Sequence, residues 1–323
     1  MAEESATLGV TEQDAALTDD LAEILEGLSR PQKALSPKFF YDEEGSQLFE
    51  RITEQPEYYP TQTELAIMRE HADEMADLVG PQASLIEFGS GSSLKTRLLL
   101  KHLHDPAVYV PVDISRELLV ASAESLDQEF PGLEVLPVVA DFTHPFELPD
   151  PKIPPARNVV YFPGSTIGNF PPDGALELLK VMHGEAGADG ALLIGVDLQK
   201  DKAVLEAAYN DTAGITAAFN LNLLVRLNRE FGADFEIDAF EHVAFYNESA
   251  GRIEMHLRAR SAQQVRIAKH VFRFRQGETI HTENSHKFTL AGFRDLAGRA
   301  GFAVEQVWTD ENDWFSIQYC VRD

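Results

Sequence analysis

Around Leu85 the chain settles into a rhythm of short apolar runs and amphipathic stretches. The runs Ser84–Phe88, Ala107–Asp113, Leu133–Ala140, Asn158–Phe162 and Ala191–Asp197 read as strands. Between them Leu94–Leu103, Arg116–Phe130 and Pro172–Glu185 carry apolar residues at helical spacing. Apolar strands separated by helices predict a mostly parallel, doubly wound α/β sheet, with ligands at the carboxyl ends of its strands.

The rhythm differs on either side of this block. Residues 1–30 read as a leader followed by a helix over Glu12–Leu28, and Leu48–Ile52 as a helical turn. Tyr59 precedes Pro60, which predicts extended backbone there, with Tyr58 and Tyr59 facing opposite ways. Thr63–Leu78 has the spacing of a long helix, with Thr61 or Thr63 as its cap. After Gln199, Ala203–Phe231 reads as one long helical stretch. Ile237–Asn247, Ile253–Arg260, His270–Phe274 and Thr279–Lys287 follow as strands. Leu290–Ala300 returns to helix, and Ala303–Trp308 with Phe315–Val321 closes the chain as an antiparallel pair. The pattern predicts two domains. Residues 62–199 and 288–323 form the α/β domain, and residues 1–61 and 200–287 a second, α+β domain from the N-terminal segment and an insertion.

The turn after the first strand is the chemical focus. Glu87, Gly89, Gly91 and Ser93 stand where an S-adenosylmethionine loop has an acidic residue and three glycines, the last replaced by a small residue. A phosphate loop ending G-K-[ST] would also use Gly89 to Thr96, but Leu94 occupies the position of its second glycine. The same leucine breaks a dinucleotide G-x-G-x-x-G. A glycine turn that binds nothing is the plain competitor.

Acidic residues end the next two strands. Asp113 lies a little over twenty residues past Gly91, where a carboxylate accepts both hydroxyls of a ribose, or else caps the following helix. The reading adopted gives the ribose to Asp113 and the cap to Ser115. Asp141 and Phe142 could take the adenine amino group and hold the ring edge, or form a strand-ending turn. Asn169, in the loop after the fourth strand, can bind an amine or a carboxylate, or else serves the turn before two prolines; its place at the carboxyl end of the sheet favours the first. Glu283 and Ser285 are two apart on a polar strand and could together hold an imidazole, although a solvated edge strand is the plainer reading. His281 and His286 have no metal-ligand spacing with other residues, and no metal is expected.

Composition narrows the partners. The net charge of −26 over 323 residues opposes binding to nucleic acid or anionic membranes. The 44% of hydrophobic residues supply a core, and no run of about 18 apolar residues predicts a membrane span. With a single cysteine, Cys320, and no signal-like N-terminus, a monomer in the cytoplasm is expected, the thiol serving as core packing.

From Pro37 onward the chain resembles the histidine Nα-methyltransferases of ergothioneine biosynthesis. The likeness rests on Lys38-Phe39-Phe40-Tyr41-Asp42, Pro56 to Thr61, Gly164 to Asn169, Tyr209 with Ala213 to Asn220, Ile253-Glu254-Met255 and Glu283-Asn284-Ser285. It implies a Rossmann-like class I methyltransferase sheet with a second, substrate-binding domain. It implies S-adenosylmethionine contacts at Gly89, Lys95, Asp113, Asp141 and Phe142. For L-histidine it implies Tyr58, Asn169 and Tyr209 near the amino-acid end, Glu283 and Ser285 at the imidazole, and Met255 in the pocket wall. Tyr41 and Asn169 would orient the α-amine through three successive methylations. The rival readings are an α-amine methyltransferase for another aromatic amino acid such as tryptophan, a silent binding protein, and a phosphate-loop hydrolase.

Overall fold

A computed structural model describes residues 12–91 and 94–323, so the Ser93 position of the glycine loop and the leader before Glu12 lie outside the described residues. In chain order the elements begin with α1 (Glu12–Ser29), β1 (Lys33–Ala34), a 3-10 turn (Pro37–Phe40), α2 (Glu43–Thr53) and α3 (Tyr59–Val79). Next come β2 (Ala83–Phe88), α4 (Leu94–Leu100), β3 (Val108–Asp113), α5 (Arg116–Glu129), β4 (Glu134–Val135) and β5 (Val138–Val139). Then follow β6 (Arg157–Phe162), a 3-10 turn (Thr166–Asn169), α6 (Pro172–Ala186), β7 (Ala191–Asp197), α7 (Lys202–Ala208) and α8 (Ile215–Phe231). The chain ends with β8 (Phe240–Asn247), β9 (Arg252–Ala259), β10 (Gln263–Ile267), β11 (His270–Phe274), β12 (Thr279–His286), α9 (Leu290–Arg299), β13 (Phe302–Thr309) and β14 (Phe315–Arg322).

Contacts divide the chain into two units. One comprises the residues up to Ile52 with Tyr209–Phe245 and Glu254–Glu283; the other comprises Thr53–Ala208, Tyr246–Ile253 and Asn284–Asp323.

The second unit holds the large sheet, ordered β13-β14-β7-β6-β2-β3-β4, with β5 beside β3. From β7 to β3 the pairings are parallel, and β14 and β13 join antiparallel at the other end. This is the class I methyltransferase sheet, with the predicted terminal pair in place. Strand β2 shows why its sequence is apolar throughout. Leu85 belongs to the core under α3 and α4, whereas its neighbour Ile86 belongs to the core with α6 and α9. Successive residues point to opposite faces, and both faces are covered. Cys320 packs in the second of these cores, its thiol pushed up to about 12 by burial, as inert packing.

The first unit carries α8 and most of a four-stranded sheet ordered β1-β12-β9-β8, with the β10-β11 ribbon. Asp42 stands at the N-terminus of α2 and takes the Gly45 N–H at 2.7 Å, a cap that contributes about 1 kcal/mol.

Several local expectations are corrected. Tyr59 is the first residue of α3 rather than extended, because Pro60 falls in the first turn, where its missing N–H costs nothing. Tyr58 holds the cap position but does not cap the helix with its side chain, and Thr61 and Thr63 lie inside the helix. Tyr59 is nonetheless buried and Tyr58 half-buried. The stretch 203–231 is two helices. Asp211 takes the N–H groups of Ile215 and Thr216 at 2.7 and 2.8 Å, and Gly214 sits at φ +72, so α8 is started afresh. The run 133–140 makes only β4 and β5, interrupted at Pro137, which has no N–H to give a ladder. Ser115 holds the cap position of α5 but makes no side-chain cap bond. Residues 237–239 form a 3-10 turn, and β1 and β10 were not anticipated.

Candidate functional site

The glycine turn after β2 takes a backbone conformation that favours glycine and leaves room for a close approach. Gly89 lies at φ +72 and Gly91 at φ +32, and a Cβ on Gly89 would sit 3.5 Å from the Phe142 ring. An L side chain at such φ costs about 1–2 kcal/mol. Phe142 is itself fixed against Phe88 and Phe162, with ring centroids 5.6 and 5.8 Å away. The turn and the ring after β5 therefore define one another, which fits a ligand with a flat base at this edge.

Glu87, the acidic residue before the turn, is turned inward. It is buried and accepts bonds from Thr96 Oγ1 at 2.7 and 2.8 Å and from the Tyr109 hydroxyl. Burial pushes its carboxyl up to about 7, against the pull of those donors. It ties β2 to α4 and β3. Lys95, in the first turn of α4, pairs with the buried carboxylate of Glu64 from α3. Both oxygens of that carboxylate also lie 3.0 Å from the Gly164 N–H. Lys95 thus spans from the glycine turn to the loop after β6.

Asp113 is half-buried at the end of β3 and accepts the Ser115 N–H at 2.9 Å, and burial raises its carboxyl above the usual range. Asp141 is more exposed and holds a local turn through the Thr143 N–H at 2.9 Å and hydroxyl at 2.7 Å. The strand-ending turn is present, and its second oxygen still faces His144 at 3.3 Å.

The loop after β6 carries the next group. Ser165 adopts left-handed backbone at φ 60 and leads into the 3-10 turn that ends with Asn169. Gly168 is required there: a Cβ would lie 2.7 Å from the His286 carbonyl oxygen. This contact clamps the Asn169 turn to the end of β12, next to Ser285. Gly168 and His286, far apart in sequence, are thereby brought together within one unit.

Behind Ser285 lies a buried charged cluster that sequence spacing did not find. Lys287 Nζ donates to Asp197 Oδ2 at 2.7 Å and to Ser285 Oγ at 2.8 Å. Lys200 Nζ pairs with Asp197 Oδ1 at 2.5 Å, and the Tyr59 hydroxyl reaches the same carboxylate at 2.8 Å. Burial alone would raise the Asp197 carboxyl, but the two ammonium groups overcome it and hold it below the usual range. Burial brings Lys200 down to about 8, against the pull of Asp197. Asp197, at the end of β7, was legible only as a strand terminus.

In the other unit Tyr41 is partly exposed, its ring edge-on to Phe49 and Phe219 at 5.9 Å. Tyr209 is buried in the break between α7 and α8, its carbonyl 2.9 Å from His242 Nε2. Asn220 braces this region: its amide donates to the His256 carbonyl at 3.0 Å and its oxygen accepts from Thr282 at 2.8 Å. Glu283 is half-buried, and its carbonyl accepts from His281 Nε2 at 3.0 Å.

Glu254, His256 and His281 bring ligand-type atoms within 4.8 Å of one another, a cluster that spacing alone did not reveal. The two imidazoles are stacked, with planes 24° apart, and Phe245 stacks on His256. His256 Nε2 lies 3.1 Å from Glu254 Oε2. The cluster also fixes the faces of the sheet. Glu254, His256 and His281 share one, which regular alternation continues to Glu283, while Met255 and Thr282 take the other. Met255 is fully packed there and is not brought to the Glu283 side.

The expected positions are thus divided. Tyr41, Tyr209, Met255 and Glu283 belong to the first unit, and Tyr58, Asn169, Ser285, Gly89, Lys95, Asp113, Asp141 and Phe142 to the second. No helix among the described residues is long and apolar enough to cross a membrane.

Residues 20–322 match the family model described as histidine-specific, S-adenosylmethionine-dependent methyltransferase. The chain is 42% identical over 302 residues to a histidine N-alpha-methyltransferase of Mycolicibacterium smegmatis, covering 92% of each chain. A protein of the same name from Mycobacterium tuberculosis is 40% identical, covering 93% of this chain and 94% of its own. Ergothioneine biosynthesis protein 1 of Neurospora crassa is 31% identical over 87% of this chain, which spans 32% of that longer protein. With a family match running almost end to end, on a sheet of the class I order, the chain belongs to the histidine-specific, S-adenosylmethionine-dependent methyltransferases.

Proposed function

We propose that the protein transfers three methyl groups in succession from S-adenosylmethionine to the α-amino nitrogen of L-histidine. The product is Nα-trimethylhistidine (hercynine), and the reaction is the first step of ergothioneine biosynthesis. The names of the relatives at 40–42% identity support the α-nitrogen as acceptor. The name of the longer relative supports the pathway. The structural observation that carries the reading is the Gly168–His286 contact, because it gathers an amide suited to an amino acid and a hydroxyl suited to a ring nitrogen.

In this reading residues 62–199 and 288–323 carry methyl transfer, and residues 1–61 and 200–287 recognise histidine. Gly89 lets the backbone approach the co-substrate, Asp113 takes the ribose, Asp141 and Phe142 the adenine, and Lys95 the amino-acid end. Tyr58, Asn169 and Tyr209 hold the histidine carboxylate and amine, with Tyr41 beside the amine. Glu283 accepts one imidazole N–H and Ser285 addresses the other nitrogen, with Met255 packed behind them.

Each step forms one C–N bond and breaks one C–S bond. Only the neutral amine has a lone pair to attack. A reference α-amino group has a pKa of roughly 7.7–8.0, so near neutral pH one proton must leave before each of the three attacks, and none after the last. Tyr41 and Asn169 orient the nitrogen, and water takes the proton. Holding both reactants in attack geometry can supply up to ~7–11 kcal/mol, so positioning carries the catalysis. A sulfonium is already an activated leaving group, and the chemistry calls for no metal.

The test is direct. The purified protein is incubated with S-adenosylmethionine and each of the twenty amino acids, and products are read by mass. Three added methyls on histidine alone are expected. Methylation of tryptophan instead, or binding without product, would move the reading to one of its rivals.

A further inference from the structure

Asp197 is the last residue of β7, a strand buried along its whole length and paired at this point with Phe315 of β14. The sheet therefore fixes its position, and its polar groups reach distant parts of the chain. Its N–H donates to Ser165 Oγ at 2.8 Å, at the left-handed residue that opens the Asn169 turn. Its carboxylate accepts from the Tyr59 hydroxyl, 2.8 Å from either oxygen, and Tyr59 begins α3 directly after Tyr58. The same carboxylate accepts from Lys287 Nζ at 2.7 Å, and that ammonium also donates to Ser285 Oγ at 2.8 Å. The Asp197 carbonyl accepts the Phe288 N–H at 2.9 Å, so main chain and side chain together hold the end of β12.

The segments bound in this way carry Tyr58, Asn169 and Ser285, and all of them lie with Asp197 in the second unit. A carboxylate offers about four lone-pair sites, enough for a phenol and two ammonium groups at once. Lys200 Nζ donates to Asp197 Oδ1 at 2.5 Å and to the Tyr59 oxygen at 2.7 Å, which closes the cluster. The side chains of Asp197 and Lys287 are 1% exposed and that of Lys200 3%, so water does not compete for these bonds. The positions proposed for S-adenosylmethionine are held by other groups, Phe142 by Phe88 and Phe162, and Lys95 by Glu64.

We propose that Asp197 is a positioning residue for the methyl acceptor, setting Tyr58, Asn169 and Ser285 in one mutual arrangement while leaving the S-adenosylmethionine subsite to other supports. This rests on the reading that those residues meet histidine. A group that orients a reactant is only as well placed as the side chains that hold its own segment.

The test measures histidine KM and kcat, S-adenosylmethionine Kd and the unfolding midpoint for Tyr59→Phe, Ser165→Ala, Asp197→Asn and a control, Tyr319→Phe. The control removes a hydroxyl that binds the other end of α3, where Tyr319 donates to the Leu78 carbonyl at 2.8 Å. Tyr59→Phe should raise the histidine KM about tenfold, the scale of one hydrogen bond, with kcat and the S-adenosylmethionine Kd within about twofold. Ser165→Ala should lower kcat/KM for histidine about tenfold. Asp197→Asn should lower it about 100-fold, the scale of a small misplacement of reactants. Tyr319→Phe should lower the unfolding midpoint as Tyr59→Phe does and leave the constants for both substrates at their wild-type values.

A wild-type histidine KM in Tyr59→Phe, or a wild-type kcat/KM in Ser165→Ala, overturns the positioning role. So does an S-adenosylmethionine Kd that rises in step with the histidine KM, or a Tyr319→Phe protein with the same KM increase, since either means a general loosening of the unit. No methylated histidine from the wild type overturns the underlying reading and the proposal with it. Should Asp197→Asn not fold, with its ammonium partners short of a counter-charge, Tyr59→Phe and Ser165→Ala decide the outcome, because they leave every charge in place.

Discussion

Lys95 and Glu64 form an ion pair in which the carboxylate is 1% exposed and the ammonium 17%. The pair joins α4, which follows the glycine turn, to α3 and, through the Gly164 N–H, to the loop that carries Asn169. Breaking a buried pair by removing one charge commonly costs about 3–5 kcal/mol. Here Lys95 keeps some solvent, so Glu64→Gln should cost about 2 kcal/mol. Because the glutamine can still accept from Gly164, the fold should survive. Denaturant unfolding measures the loss, and titration calorimetry should show weaker S-adenosylmethionine binding. An unchanged affinity would separate the pair from the co-substrate.

Gly89 offers a second check on the same region. Gly89→Ala places a Cβ at φ +72, costing about 1–2 kcal/mol, and 3.5 Å from the Phe142 ring. S-adenosylmethionine affinity should fall at least tenfold while histidine binding changes little, as separate titrations would show. Equal loss of both would point to a general collapse of the unit.

The pH dependence of stability follows from Glu87. Its folded pKa of about 7 lies above a reference value of roughly 4.3, so between these the folded state binds more protons than the unfolded. Stability from this group is full below about pH 4.3 and declines as pH rises through 7. Asp42 and Asp197 act oppositely. Burial would raise both, but Arg229 with its neighbours and the two lysines hold them low, so their contribution is lost in acid. From pH 5 to 8 the Glu87 contribution to the unfolding free energy therefore falls as pH rises, and Glu87→Gln should shift the wild-type slope upward by that contribution. An unaltered slope in the variant would mean Glu87 is not the titrating group.

The contrast between Glu87 and Leu85 also explains what was legible in the chain. The strands β2, β3, β6 and β7 announced themselves because both of their faces are buried, which leaves a local apolar signature. Gly89, Asp113 and Asn169 were legible because strand ends in such a sheet converge on one edge. The Lys287–Asp197 bond spans 90 residues, and no local pattern encodes it. Glu64 looked like one more acidic position on a helix until Gly164 and Lys95 were placed against it. The break at Asp211 was hidden by apolar residues on either side, although Asn210, Asp211 and Gly214 supplied cap and turn chemistry.

The proposed role of Asn169 predicts a kinetic defect rather than a folding one. Its turn is held by backbone and by the Gly168–His286 contact, neither of which needs the amide. Asn169→Ala should keep the unfolding midpoint while kcat/KM falls about 100-fold at each methylation, the scale of a small misplacement of reactants. Mass-resolved progress curves follow the three steps separately. Wild-type rates at all three would remove Asn169 from the mechanism.

Substrate choice gives the sharpest prediction, because it separates Glu283 from the rest of the site. Its backbone is fixed by His281, and its side chain is half-buried on the face shared with Glu254 and His256. Phenylalanine offers the Glu283 carboxylate no N–H, and sites built to hydrogen-bond a substrate N–H discriminate by about 10⁴ or more. Glu283→Ala removes the carboxylate that disfavours the wrong substrate and the bond it gives the right one. Both changes compress the ratio, so the preference for histidine over phenylalanine should fall to about 10² or below in a direct competition assay. Met255, across the sheet, lacks this effect: Met255→Leu should keep the ratio, since it exchanges one packed apolar side chain for another at a cost under about 1.5 kcal/mol. If Met255→Leu moved the ratio and Glu283→Ala did not, recognition would rest on the shape of the pocket instead of the carboxylate.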